Sequence, residues 1–106
     1  MSKKVVWTSL ASNSLSDIHD YYSLRASTTV ANRIVRRILG ESSKLLSNPQ
    51  IGQIEIFLKG RQFEYRYLVV GNYKLIYRVS EKSNAIVILD VFDTRRNPGK
   101  MSVEED

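Results

Sequence analysis

Several residue types are scarce or missing in this 106-residue chain, and each absence excludes a class of chemistry. It has no cysteine, which excludes disulfide bonds, thiol catalysis and cysteine-based zinc sites. Its only histidine is His19, and no Asp, Glu or His cluster has the spacing of a metal site. No apolar run approaches the ~18 residues of a membrane span, and the apolar patch after Met1 is too short for a signal peptide. We therefore expect a cytoplasmic protein without metal, cofactor or membrane partner.

The chain carries an excess of positive charge. Lys and Arg number 16 against 11 Asp and Glu, which gives a formal net charge of +5. Three of the acids, Glu104, Glu105 and Asp106, end the chain, so the rest of the protein is more basic than this total. A basic surface favours an anionic partner, which can be nucleic acid, the ribosome or an acidic protein. A surface that is merely soluble and basic has the same composition.

The first half of the chain has the pattern of a strand followed by two helices. Residues 4–8 are rich in β-branched and aromatic side chains, which favours a strand. Apolar residues then recur at helical spacing over 9–24 and again from Thr29 to about residue 48. Pro49 ends the second helix, and Gly40 within it is unfavourable for a helix. The short link between the two segments predicts an antiparallel helical hairpin.

The second half changes to the two-residue period of strands. Alternation predicts a hairpin of strands at 64–70 and 73–79 around a Gly71-Asn72 turn, and then a third strand at 85–92. The predicted order is β-α-α-β-β-β, an α+β fold in which the helical hairpin packs on a small antiparallel sheet. We expect a single domain over 1–98, followed by an acidic, flexible tail at 99–106.

Alternation along the hairpin also predicts a cationic sheet face. In the simplest assembly Tyr65, Tyr67 and Val69 pack against the helices together with Tyr73, Leu75, Tyr77 and Val79. Arg66, Lys74 and Arg78 would then converge on the open face, with Arg61, Arg95 and Arg96 at its rim. Such cations bind phosphate, and in a metal-free ribonuclease they stabilise the charge of a phosphorane. An ordinary solvated face with alternating Lys and Arg is the plain alternative.

Other candidate residues point to structural roles. His19 falls on the first helix, far in sequence from the predicted cationic face. Asp90 and Asp93 have the chemistry of a base or a ligand, but pairing with nearby arginines is the simpler expectation. Trp7 suits a core anchor, and the six tyrosines suit core and interface positions.

Three segments, in this order, resemble a known family. They are Trp7 to Tyr22, the hairpin Glu64 to Arg78 and the ending Val91 to Pro98, and Pro49 with Gly52 adds to them. Together they look like the RelE/ParE superfamily of type II toxins, often labelled plasmid stabilisation proteins, over roughly residues 5–98. The resemblance implies a helical hairpin on an antiparallel sheet and a toxin that arrests growth. It also implies a cognate antitoxin, which wraps the toxin through apolar and acidic contacts and binds operator DNA with its other half.

One branch of this superfamily cleaves ribosome-bound mRNA. In that branch Arg66 and Lys74 match two of the basic sheet positions, and Arg95 or Arg96 matches an arginine after the last strand. The resemblance would make Arg66, Lys74 and Arg95 catalytic. Two features depart from it, since Leu68 stands where a second basic residue is expected and no tyrosine or histidine follows Arg96. Under the nuclease hypothesis, the chain therefore lacks the residue that would transfer a proton.

The other branch poisons DNA gyrase and is not a nuclease. The tryptophan-led first strand, the Tyr-Arg hairpin and the ending Thr94 to Pro98 are more similar to this ParE branch. We therefore expect a gyrase-poisoning toxin whose target contacts include Arg95, Arg96 and the tail, with Arg61 and Arg78 as further contact or phosphate-binding candidates. The alternatives are the mRNA endonuclease and a member that is no longer toxic and acts only in a repressor complex.

Overall fold

The computed structural model describes residues 3–105. Its helices and strands are β1 Lys4–Trp7, α1 Ser9–Arg25, α2 Thr28–Lys44, β2 Gln53–Ile54, β3 Arg66–Val70, β4 Tyr73–Ser80 and β5 Ala85–Asp93. Two short 3-10 turns lie at Ile56–Leu58 and Pro98–Lys100. The α+β fold and the strand-helix-helix-strands order are confirmed, with the two-residue strand β2 as an addition. Met1, Ser2 and Asp106, which the leader and tail predictions include, lie outside the described residues.

Each helix of the hairpin begins at a hydroxyl cap. The Thr8 hydroxyl accepts a hydrogen bond from the Ala11 amide at 3.1 Å, and the Ser27 hydroxyl accepts one from the Val30 amide at 3.1 Å. Such caps satisfy amides that have no partner within the helix. Only Ala26 and Ser27 separate the helices, so α1 and α2 fold back on each other. Gly40 lies within α2 and does not interrupt it.

The sheet is mixed rather than purely antiparallel. Its strand order is β1-β5-β4-β3-β2, and β1 runs parallel to β5 while the other neighbours are antiparallel. The prediction of an antiparallel sheet is therefore wrong for one pair. The physical reason is that β1 pairs with the last strand of the chain. Two helices follow β1, so no hairpin turn fixes its direction.

Apolar side chains fill both faces of the sheet. On the helix face, Leu75, Tyr77 and Ile88 pack with residues of α1 and α2. On the opposite face, which we call the outer face, Ile76 and Phe92 pack beneath the segment 55–65 and residues 101–103. Strand β5 is buried from Ala85 to Phe92, which confirms the expectation of an apolar, heavily covered strand.

The side chains of β3 and β4 that share a face of the sheet are not the ones that we predicted. The β4 set, which includes Leu75 and Tyr77, faces the helices as expected. Across β3, however, Arg66 lies opposite Tyr77 and Leu68 lies opposite Leu75, so Arg66 is on the helix face and Tyr67 is on the outer face. The prediction was wrong because the two-residue turn makes Val70 and Tyr73 direct partners. Directly paired residues share a face, so the turn length decides which sets combine.

Candidate functional site

Arg66 stabilises a loop and does not belong to a cationic face. Its guanidinium donates to the Gly52 carbonyl at 2.8 Å and pairs with the Glu64 carboxylate at 2.9 Å. Both partners belong to the segment that joins the helical hairpin to β3. The expected convergence of Arg66 with Lys74 and Arg78 is therefore wrong, because Arg66 lies on the other side of the sheet.

The Pro49–Gly52 turn is fixed to β4 by one tyrosine. The Tyr77 hydroxyl donates to the Pro49 carbonyl at 2.8 Å and accepts from the Gly52 amide at 2.9 Å. A Cβ at position 52 would lie 2.5 Å from the Tyr77 hydroxyl oxygen and 2.8 Å from the Tyr67 carbonyl oxygen. Burial raises the pKa of Tyr77, so the phenol keeps the proton that it donates. This packing gives the Pro49 and Gly52 pair of the sequence a structural role.

Lys74 on the outer face forms a buried ion pair. Its ammonium group lies 2.8 Å from the carboxylate of Glu55, whose side chain is 0% exposed. The same ammonium lies 4.2 Å from the centre of the Tyr67 ring, and the Lys74 side chain is only 18% exposed. The Glu55 carboxylate also accepts from the Phe57 amide at 3.2 Å. Lys74 therefore holds the 55–65 segment on the sheet, with its charge neutralised inside the fold.

Arg78 and Arg61 lie together at one end of the outer face. The Arg78 guanidinium donates to both carboxylate oxygens of Glu105, at 2.8 and 2.9 Å, and its carbon lies 4.1 Å from the centre of the Phe63 ring. The hydrogen bond with Glu105 raises the pKa of Arg78. Arg61 lines the same cavity, beside Tyr65. Apart from Arg66, the predicted arginines separate into two groups, and this pair is the first of them.

Arg95 and Arg96 form the second group, immediately after β5. The Arg95 side chain is 60% exposed and makes a bidentate pair with Asp93, at 2.7 and 2.9 Å. The Arg96 guanidinium lies 4.9 Å from the centre of the Phe92 ring. Both arginines line a cleft against α1, whose wall includes Asp17, Tyr21 and Tyr73. Burial and a hydrogen bond with Tyr22 raise the pKa of Tyr73, which leaves a neutral phenol in this wall.

Two aspartates at the end of β5 have opposite environments. Asp90 is buried and accepts from the Ser14 hydroxyl at 2.5 Å and from the Val91 amide at 2.8 Å. Burial raises the pKa of Asp90, whereas the hydrogen bond from Arg95 lowers the pKa of Asp93. The Asp93 pairing confirms the expected arginine contact, whereas the same expectation for Asp90 is wrong, because Asp90 accepts from Ser14 and the Val91 amide instead. Asp90 contacts Ser14 and so joins β5 to α1. The only hint of this contact in the sequence is an acidic residue within an otherwise apolar strand.

The two aspartates predict opposite pH dependences of stability. A raised carboxyl pKa means that the folded chain loses stability as pH rises above the usual value of 3.8. The asparagine of Asp90→Asn cannot ionise. The free energy of unfolding of Asp90→Asn minus that of the parent should therefore increase as pH rises above 3.8. Asp93 has a lowered pKa, so the deficit of Asp93→Asn should grow as pH rises toward 3.8. Urea unfolding between pH 3 and pH 7 measures both differences, and equal signs would contradict the assignment.

The remaining candidates, His19 and Trp7, have structural roles. His19 Nε2 lies 2.9 Å from the Asn32 side-chain oxygen and joins the two helices. Trp7 packs against the helix-face core, as expected. Within residues 3–105, no three His, Cys, Asp or Glu side chains are grouped to hold a metal ion. No helix in this described part has the length and apolarity to cross a membrane.

A helical hairpin on one face of a five-stranded mixed sheet, in a strand-helix-helix-strands order, is the fold of RelE/ParE-type toxins. Residues 5–98 match the family model described as the ParE toxin of the type II toxin–antitoxin system parDE, and the chain belongs to this family. A solved structure of the chromosomal ParDE toxin–antitoxin system from P. aeruginosa has the same fold. It superposes with a TM-score of 0.70 at 24% identity, covering 90% of this chain and 97% of that one. None of the curated proteins has a matching sequence.

Proposed function

We propose that this type II toxin arrests growth by poisoning DNA gyrase through protein contact, and that a cognate antitoxin neutralises it. The observation that carries the proposal is the separation of the predicted cations. Arg66 and Lys74 lie on opposite faces of the sheet and are bound to partners within the fold. Arg95 and Arg96 are exposed together at the end of β5, and the Arg95 side chain stays 60% exposed although it is paired with Asp93. This difference in exposure supports the ParE-like hypothesis, in which Arg95 and Arg96 contact the target.

The mRNA endonuclease alternative requires a different arrangement. Phosphoryl chemistry without metal needs cations aimed at one phosphate and a group that transfers a proton. Lys74 is paired with the buried Glu55, and Arg66 is on the helix face, so the two do not address one phosphate. Residues 97–106 contain no tyrosine or histidine. These observations favour gyrase over the ribosome as the target.

The arginine cleft has the properties of a contact surface for another protein. Exposed arginines beside aromatic rings are frequent at interface hot spots, and Tyr21 and Tyr73 supply such rings here. Positive charge at the rim also increases the rate of association with an acidic partner. We propose that Arg95 and Arg96 contact gyrase in the cytoplasm and that operator DNA is bound only through the antitoxin.

Replacing Arg95 and Arg96 together with alanine should lower gyrase poisoning by about tenfold or more, because both side chains are exposed and are the contacts we propose. The matched control is Arg33→Ala with Arg36→Ala, which removes the same charge from exposed positions of α2. Supercoiling and DNA-cleavage assays with purified gyrase measure the loss, and in vitro translation follows mRNA integrity in parallel. Ribosome-dependent mRNA cuts with gyrase unaffected would contradict the proposal. Truncation after Phe92 is a poorer test, because it removes Met101 from the core.

Growth arrest by the expressed chain should be relieved when the adjacent gene is co-expressed, because the antitoxin binds the folded toxin. The measurement is colony count with and without that gene, and the Arg33/Arg36 control should behave like the parent. Arrest that persists despite antitoxin expression would contradict neutralisation. Normal growth of cells that express the toxin alone would identify a member that acts only in a repressor complex.

A further inference from the structure

The solvent-facing side of α2 carries four cations around a glycine. Arg33, Arg37, Gly40 and Lys44 follow one another at steps of four, three and four residues, so they share one face of the helix. Arg36 lies three residues after Arg33 and four before Gly40, so it borders the same face. All five residues are exposed. We call these five residues the basic face of α2.

Most of the positive charge on the basic face has no acidic partner. Lys44 pairs with Glu41 at 3.0 Å, and Glu41 is the only acid of α2. Within residues 3–105, no ion pair involves the three arginines of this face. Elsewhere in the fold, four of the cations that we predicted as site residues each have an acidic partner, namely Arg66, Lys74, Arg78 and Arg95. The exposed guanidinium groups of α2 are therefore available to an anion from outside.

No neighbouring group requires a glycine at position 40. A Cβ there would meet nothing within 4 Å, although glycine costs a helix interior about 1 kcal/mol relative to alanine. Gly40 lies three or four residues from Arg36, Arg37 and Lys44, so the helix backbone is bare at the centre of the cations. A bare backbone lets a bulky group come closer to the helix than any side chain would allow. An anionic group seated over Gly40 is then within reach of cations on each side.

The shape and charge of this face fit a regular row of anions. Ala31 and Ile38, on the opposite side of α2, are buried in the core, so the apolar side that a membrane-bound helix needs is already covered. At about 1.5 Å per residue, Arg33 and Lys44 lie about 16 Å apart along the helix. Phosphates recur about every 3.4 Å along each strand of duplex DNA. The basic face therefore spans several consecutive phosphates of one strand.

We propose that the basic face of α2 binds the phosphate backbone of duplex DNA without reading its sequence, with the backbone seated over Gly40. The hydroxyls of Ser43 and Ser47, beside this face, donate to the carbonyls of Leu39 and Lys44 and are not aimed at base edges. Recognition of the operator sequence therefore stays with the antitoxin. Naming DNA rather than RNA rests on the proposed function, whose target acts on DNA, whereas the binding of phosphate does not.

The first test measures the fluorescence anisotropy of a short labelled DNA duplex with the full-length protein at several salt concentrations. Three phosphate contacts predict that log K falls with log salt with a slope of about −2.7, which is an about fortyfold loss of affinity between 50 and 200 mM salt. Replacing Arg33, Arg36 and Arg37 with alanine should remove most of this slope. The matched control replaces Lys59, Lys82 and Lys100 with alanine, which removes the same three charges from exposed positions elsewhere, and it should keep the slope.

A second pair of variants tests the seat at Gly40. Gly40→Glu and Gly40→Gln add side chains of nearly equal size and helix propensity, and a Cβ at this position has open space around it. They differ by one negative charge at the centre of the basic face. At low salt Gly40→Glu should bind DNA about tenfold more weakly than Gly40→Gln, because its carboxylate neutralises neighbouring cations and repels phosphate. Gly40→Gln should itself bind more weakly than the parent, because its side chain fills the seat.

Four results would overturn the proposal. They are equal losses in the two triple variants, equal affinity of Gly40→Glu and Gly40→Gln, displacement of the duplex by poly-glutamate as readily as by unlabelled DNA, and tighter binding of an RNA duplex of the same sequence. Thermal unfolding of each variant establishes that the protein is folded. Because these measurements need no gyrase and no antitoxin, they can fail while the proposed function holds, and the reverse. In the gyrase assay the enzyme itself holds the DNA, so Arg33→Ala with Arg36→Ala should lower poisoning far less than the loss of Arg95 and Arg96.

Discussion

Replacing Gly52 with alanine should lower the free energy of unfolding by about 2–4 kcal/mol, which is a large fraction of the stability of a domain this size. A Cβ at this position would lie 2.5 Å from the Tyr77 hydroxyl and 2.7 Å from a carbon of its ring. The Tyr77 side chain is fully buried, so it has to move inside the core, and its hydrogen bonds with Gly52 and Pro49 are weakened. Overpacking costs about 1–3 kcal/mol, and each lost hydrogen bond adds about 1 kcal/mol.

The matched control is Gly40→Ala, because a Cβ there would meet nothing within 4 Å. It should raise the stability by about 0.5–1 kcal/mol through helix propensity. Urea unfolding followed by the fluorescence of Trp7 measures both variants. Tyr77→Phe removes the hydroxyl that Gly52 would meet, so the loss in the double variant should be smaller than the sum of the single losses. Equal effects of the two alanine substitutions would show that the turn is not packed as described.

The helices and the three long strands could be predicted because their signals are local. Helical spacing and hydroxyl caps lie within a few residues of each other, and the predicted bounds 9–24 for α1 agree with Ser9–Arg25 to one residue. The Gly71-Asn72 turn between β3 and β4 is equally local. These features do not depend on the rest of the fold.

The pairing of β1 and the face of Arg66 could not be read from alternation. Strand β1 pairs with β5, whose first residue follows Trp7 by more than seventy positions, and nothing near β1 specifies that partner. For Arg66, alternation sorts the β3 side chains into two opposite faces. It does not say which of these faces is shared with Leu75 and Tyr77 of β4. The two-residue turn decides this, because Val70 and Tyr73 become direct partners. Applied at the sequence level, this rule places Arg66 opposite Tyr77.

The candidate site was predicted in part. The sequence shows which residues are cationic and places Arg95 and Arg96 side by side after β5, where both are exposed. It does not show which cations have internal partners. Glu55 lies in a segment without clear periodicity, so its ion pair with Lys74 is visible only in the fold. That pair changes how the function must be tested.

Lys74→Ala alone is expected to destabilise the protein by about 3–5 kcal/mol, because it leaves the fully buried Glu55 carboxylate without its cation. Loss of toxicity in this variant would therefore reflect unfolding as much as lost chemistry. The paired change Glu55→Gln with Lys74→Met removes both charges and leaves the net charge of +5 unchanged. The glutamine oxygen can still accept from the Phe57 amide. We expect this variant to regain most of the lost stability, since exchanging a buried ion pair for neutral groups is often nearly neutral.

The paired variant then separates the two targets without the confounding effect of misfolding. A toxin that acts on gyrase through Arg95 and Arg96 should keep its poisoning activity within about twofold, since neither arginine pairs with Glu55 or Lys74. A nuclease that uses Lys74 to stabilise phosphate charge should lose about a hundredfold or more of its mRNA cleavage, as expected when an electrostatic contact to the reacting group is removed. A folded paired variant that no longer poisons gyrase would contradict the proposed contact surface. It would mean that the Lys74 charge, although paired with Glu55 in the free chain, is used when the toxin engages its target.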